Sequence, residues 1–171
     1  GVGVGVTSAT LGVVRAIERT GVNINFFKPI AQPRKRHSGP EHTTSILRNT
    51  TNLKPPEPFS QEYAENLISN NHSDDLLEKI VARFESIQAE ADVVIIEGLV
   101  PTNKHPYANK INYDIAKALD ADMVFITNPG NDSSQQHKER LEFACNNFGG
   151  AHNKRILGCI INKVGAPLDI N

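Results

Sequence analysis

Val93-Val94-Ile95-Ile96-Glu97-Gly98 is a short, unbroken apolar run that ends on an acid and a glycine. It shows no polar/apolar alternation, the pattern of a parallel strand covered on both faces. Met123-Val124-Phe125-Ile126-Thr127 repeats the pattern downstream, and Ile156-Leu157-Gly158-Cys159-Ile160-Ile161 repeats it again. Residues 107–119 lie between the first two runs and carry Ile111, Ile115 and Leu119 at helical spacing. Residues 133–148 precede the third, with Leu141, Cys145 and Phe148 inward and Gly149-Gly150 as the stop. All three runs are expected to be parallel, central strands with helices on both faces.

Upstream, residues 7–20 read as a helix with a stripe of Leu11, Val13, Val14 and Ile17, capped by Thr7 or Ser8 and ended by Gly21. Residues 22–27 alternate with period two and read as a strand. Residues 33–40 form a polar loop, and residues 41–49 a short helix. Pro55-Pro56 and Pro58 make a break, because proline removes an N–H from helix and ladder alike. Residues 60–70 are a helix. Residues 74–89 are another, with Leu77, Ile80, Val81, Phe84 and Ile87 on one face and Asp74 and Asp75 in the first turn. Strands that alternate with helices in this way imply an α/β fold with a doubly wound, mostly parallel sheet.

The chain has 171 residues, which suits a single domain over residues 1–171. Lys+Arg 18 against Asp+Glu 19 gives a net charge of −1, which removes the electrostatic case for a nucleic-acid or polybasic membrane surface. Hydrophobic residues at 39% suffice to bury a core. No apolar run approaches the ~20 residues of a membrane span, and no signal peptide is visible. Cys145 and Cys159 are too few for a disulfide scaffold, so a cytoplasmic location with reduced thiols is expected. The chain opens on Gly1 without a Met and closes on Asn171, and both ends are expected to be cuts in a longer protein.

Ligands of such sheets bind beyond the carboxyl ends of the strands, so candidate site residues are sought there. Gly1-Val2-Gly3-Val4-Gly5-Val6-Thr7-Ser8 sits before a helix, as a phosphate-binding Gly-x-x-x-x-Gly-Lys-[Ser/Thr] loop does. Aligning Gly5 with its second glycine puts Val6 where the lysine belongs and Thr7 at the Mg²⁺-binding hydroxyl. The helix start would favour an anion. The missing lysine argues against hydrolysis of a nucleoside triphosphate. Lys28, after Phe26-Phe27, is either a cation aimed at the same pocket or a solvent-facing lysine. Glu97 either holds Mg²⁺ through water or bonds a neighbouring loop. Asn162-Lys163 either reads a base edge or forms a turn.

The dense basic cluster Arg34-Lys35-Arg36-His37 reads as a solvated loop. The six histidines show no metal-ligand spacing, so no metal site is expected on His or Cys. No Gly-x-Ser-x-Gly elbow or other nucleophile signature is present.

Several segments, in order, resemble the N-terminal domain of long bacterial phosphate acetyltransferases. They are residues 7–19 and Phe27-Lys28-Pro29-Ile30-Ala31-Gln32-Pro33, then Glu97-Gly98-Leu99-Val100-Pro101-Thr102 with Lys104-His105. Asn112-Tyr113-Asp114-Ile115-Ala116-Lys117, Lys138-Glu139-Arg140, Phe148-Gly149-Gly150-Ala151 and residues 162–167 complete the set. The resemblance implies a P-loop-like fold similar to dethiobiotin synthetase, with a central strand expected just before Gly1. It places acetyl transfer between coenzyme A and phosphate in a C-terminal catalytic domain, so no catalytic residue is carried over to this chain.

The resemblance further implies a regulatory and assembly role. It points to homo-oligomers, to effectors such as NADH, ATP, pyruvate and phosphoenolpyruvate, and to no cofactor required by this segment, with coenzyme A and acetyl-CoA as substrates of the parent. Gly3, Gly5, Thr7, Ser8, Lys28, Glu97, Asn162 and Lys163 are the expected nucleotide- or anion-binding residues. The competing expectation is a stand-alone ATP-dependent ligase or carboxylase of the dethiobiotin synthetase type, which should carry lysine at position 6.

Overall fold

The computed structural model describes residues 5–32, 41–103 and 105–164. Its elements in chain order are α1 (Val6–Glu18), β1 (Ile24–Phe27), α2 (His42–Thr50), α3 (Gln61–Ser69) and α4 (Ser73–Gln88). They continue with β2 (Val93–Ile96), α5 (Ala108–Ala118), β3 (Met123–Thr127), α6 (Ser134–Asn146) and β4 (Ile156–Ile161). The class is α/β with parallel strands, as the alternation implied.

Local chemistry sets the helix boundaries. Ser60 caps α3 by accepting a hydrogen bond from the Tyr63 N–H at 3.2 Å. Ser133 and Gln136 form a reciprocal capping box at α6. Gly21, at φ +79°, ends α1 in a conformation that L side chains rarely adopt. The expected Thr7 or Ser8 cap of α1 is not formed. The helix starts earlier, with Gly5 at the N-cap in the left-handed region and no side-chain cap. In α4 the buried stripe is Leu76, Ile80 and Phe84, with the expected Leu77 only partly buried. These three repeat every four residues, and Leu76 heads the row.

β1 pairs with β2 and β3 with β4, both parallel, as separate two-stranded sheets. Side chains alternate across β1, so Phe26 joins Val14 of α1 and Leu47 of α2 on one face. Phe27 joins Ile80 and Phe84 of α4 on the other, its ring 5.8 Å from that of Phe84. Burying a side chain of this kind contributes roughly 1.5–3 kcal/mol, which makes β1 the most firmly held strand.

Between the two sheets lies a cleft of about 600 Å³, walled by Ile96 of β2, residues 123–127 of β3, Ile115 of α5 and Phe148, with Val6 of α1 at its margin. The expectation that all three apolar runs are central is not met among the described residues, where β2 pairs only with β1 and β3 only with β4, and β4 departs from it furthest. That strand pairs only with β3 among the described residues, and Leu157 and Ile161 are 67% and 51% exposed. Its composition suits cover on both faces, but the described residues supply no neighbour along its outer edge. No described helix is long and apolar enough to cross a membrane.

Candidate functional site

The paired register of Phe27 with Ile96 brings Lys28 and Glu97 to the same level, one residue beyond the carboxyl ends of β1 and β2. Both are buried. The Lys28 Nζ donates to Glu97 Oε1 and lies 2.9 Å from Glu41 Oε1. The Thr43 hydroxyl donates to the same Glu97 oxygen at 3.0 Å, and the Thr7 and Thr43 hydroxyls are 3.0 Å apart. A continuous polar chain therefore runs from α1 through α2 to the ends of β1 and β2.

Glu41 is the N-cap of α2. Its other oxygen accepts from the Thr44 N–H at 2.8 Å. Burial works to raise its pKa, but the Lys28 charge and the hydrogen bonds from Thr44 and Lys28 outweigh it and hold the carboxyl below the usual range. One buried lysine therefore lies between two acid side chains. The charge of Lys28 is thus already engaged. Any anion at the α1 start would rely on the helix N–H groups and on other cations. Glu97 Oε2 and Thr44 Oγ1 are buried with no hydrogen-bond partner.

Gly5 forms the second part of the site. At φ +82° it suits the left-handed region, and a Cβ there would collide with Asn162 Nδ2 and stand 3.8 Å from Lys163 Cε. The Asn162 N–H donates to the Thr127 carbonyl at 2.8 Å, and its side chain accepts from the Lys163 N–H at 2.9 Å. The end of β4 is thereby folded against the start of α1. Lys163 takes φ +56° in that turn.

The loop after Glu97 is fixed by side chains that imitate a strand. Asn112 accepts from the Leu99 N–H at 2.9 Å and donates to the Leu99 carbonyl at 2.8 Å. Gln32 does the same for Val100, at 2.8 and 2.9 Å. These bonds hold residues 98–101 on the rim of the cleft. His105, further along, lies 3.0 Å from Glu65 of α3.

Of the residues expected from sequence, the structure gathers Gly5, Asn162 and Lys163 at the start of α1. Lys28 and Glu97 join Thr7 through Thr43. Ser8 is exposed on α1. Gly3 and the cluster Arg34-Lys35-Arg36-His37 lie outside the described residues. Lys28 does not face solvent, and Glu97 bonds its neighbours directly. Sequence reasoning missed Glu41 and Thr43. The available signal was Glu41-His42-Thr43-Thr44 after Pro40, an acid at a helix start with a backbone N–H three residues on.

The chain is 49% identical over 170 residues to a phosphate acetyltransferase of Escherichia coli, matching 99% of this chain and 24% of that protein. It is 47% identical to the Salmonella typhimurium protein of the same name, over 99% of this chain and 24% of that one. The Haemophilus influenzae phosphate acetyltransferase is 46% identical, over 98% and 24% respectively. The chain thus spans roughly a quarter of the length of the curated relatives it matches. A family model described as an AAA domain matches residues 1–171 in full, and the chain belongs to that AAA domain family.

Proposed function

We propose that this chain is the N-terminal regulatory and assembly domain of a phosphate acetyltransferase, the enzyme that interconverts acetyl-CoA plus phosphate with acetyl phosphate plus coenzyme A in acetate metabolism. The observation that carries this reading is the 49% identity across 99% of the chain, confined to 24% of the relative. The chain itself is catalytically silent in this proposal, and the transfer belongs to a C-terminal catalytic domain. It acts in the cytoplasm, within a homo-oligomer of the parent.

The fold proposal is more specific than two parallel pairs. A central strand preceding Gly1 enters the cleft and pairs with β2 on one side and β3 on the other, making one doubly wound, P-loop-like sheet. Three features support it: the cleft separates two parallel pairs, β2 and β3 form its walls, and Val6 at the α1 start sits at its margin. The proposed ligand is a nucleotide or other anionic effector, NADH or ATP among them, held weakly by Gly3, Gly5, Thr7, Ser8, Lys28, Glu97, Asn162 and Lys163. Weak binding follows from Val6 in place of a lysine and from a Lys28 charge already shared by Glu41 and Glu97.

The test is to remove residues 1–171 from the parent enzyme. The remainder should still form acetyl-CoA from acetyl phosphate and coenzyme A, but its response to NADH, ATP and pyruvate should be lost. Acetyl-CoA formation by the isolated chain, or an unchanged effector response in the remainder, would overturn the assignment.

A further inference from the structure

Phosphate-binding sheets hold a divalent cation between a hydroxyl at a helix start and an acid at a strand end. The residue types for it are present. Thr7 lies in the first turn of α1, Glu97 follows β2, and Glu41 adds a second acid at the N-cap of α2. Their arrangement does not fit the ion. A Mg²⁺ shared by the two acids needs an oxygen of each at about 2.0–2.1 Å, with further oxygens completing an octahedron. The facing oxygens converge instead on the Lys28 Nζ, which lies 2.9 Å from Glu41 Oε1 and donates to Glu97 Oε1. Glu41 Oε2 accepts from the Thr44 N–H, and the Thr43 hydroxyl spends its one hydrogen on Glu97 Oε1. The Thr7 hydroxyl is therefore the donor in its 3.0 Å contact with Thr43. Among these carboxyl oxygens Glu97 Oε2 alone has no partner in the described residues, and one buried acceptor is not a coordination shell.

We propose that the Lys28 ammonium fills the place of a divalent cation in this site, so that an anion held at the Gly5 turn is taken free of metal. The lysine enters from the end of β1 and the acids from the end of β2 and the start of α2, so three elements close on one nitrogen. Lys28 is only 4% exposed. Moving it aside for a metal would leave two buried acid side chains without their cation until the ion arrived, which is the costly way to break such a cluster. The consequence for the ligand rests on the effector site proposed above; the identity of the cation does not.

The experiment uses the full-length parent and Mn²⁺, which takes the same oxygen ligands as Mg²⁺ and is counted when bound by electron paramagnetic resonance. Glu41→Gln keeps the lysine, so it should bind as many Mn²⁺ ions per chain as the unaltered parent. Lys28→Ala removes the ammonium and opens its place. It should gain one Mn²⁺ per chain, and adding Glu97→Gln should abolish that gain. A folded Lys28→Ala that gains none, or a Glu41→Gln that loses one, overturns the proposal. Titration of the unaltered parent with ATP decides the matter even where Lys28→Ala fails to fold. Excess Mg²⁺ should tighten ATP by no more than about twofold over EDTA, and a larger gain overturns the proposal. If ATP binds in neither buffer, the effector reading fails by itself, and the Mn²⁺ count of Glu41→Gln still decides the identity of the cation.

Discussion

Glu41, at the N-cap of α2, places one carboxylate oxygen 2.9 Å from the Lys28 Nζ beyond β1 and the other 2.8 Å from the Thr44 N–H. One side chain therefore both starts a helix and neutralises a lysine buried beside a second acid, Glu97. The arrangement couples α2 to the sheet through charge rather than through apolar packing alone.

Removing the cation should be far more damaging than removing one acid. Lys28→Met strands Glu41 and Glu97 together in a buried site, and loss of one partner from a buried pair costs roughly 3–5 kcal/mol. Glu41→Gln leaves a one-to-one pair of Lys28 with Glu97 and a side chain still able to accept hydrogen bonds. Its cost should be about 1–2 kcal/mol. Urea unfolding of the two variants checks the order; equal losses would mean that the charges are not coupled as the geometry implies.

Acid should erase the contribution of Glu41. Its folded-state pKa lies below its ordinary value of 4.5, so the folded state binds its proton less readily than the unfolded one. The associated stability is complete above the unfolded value and is lost as pH falls through the lower folded value. The stability gap between the unaltered chain and Glu41→Gln should therefore be steady near neutrality and narrow as pH drops below about 4.5. Thermal melts at several pH values read this directly, and a gap that widened in acid would reverse the assigned direction.

Gly98 should not tolerate even alanine. A Cβ there would stand 2.9 Å from Asn112 Oδ1 and 3.1 Å from its Cγ, displacing the side chain that bonds both backbone groups of Leu99. Leaving those groups unsatisfied costs about 1–3 kcal/mol. Gly98→Ala and Asn112→Ala should each destabilise within that range, and the double variant should lose less than their sum, because both act on the same pair of bonds.

Much of this was readable in the sequence because strand composition and helix spacing report burial. Met123–Thr127 and Ile156–Ile161 are strands with the expected bounds, and Ile111 and Ile115 are buried where their period put them. The α1 start was misplaced because Thr7 and Ser8 have capping chemistry, whereas the backbone uses Gly5 and sends the Thr7 hydroxyl across to Thr43. The state of Lys28 was not legible at all. Its partners Glu41 and Glu97 are 13 and 69 positions away, and only the parallel register of β1 with β2 brings the second to it. The exposure of β4 was equally hidden, since its uncharged, apolar composition suits burial while Leu157 and Ile161 are exposed.

Position 6 offers the sharpest test of the proposed effector site. Val6 is the first residue of α1, follows the left-handed Gly5 and sits at the margin of the cleft. A nucleotide held at this helix start would gain only the partial charge of the N-terminus, equivalent to roughly +0.5. Lys28 adds little, because Glu41 and Glu97 already surround it. Val6→Lys introduces an ammonium at the place where phosphate-binding loops carry one, so ATP should bind more tightly, by about tenfold if the new contact contributes ~1.4 kcal/mol. Hydrolysis should remain negligible in both forms. Isothermal titration with ATP at fixed salt measures the change, and an affinity unaltered by Val6→Lys would move any nucleotide site away from the Gly5 turn.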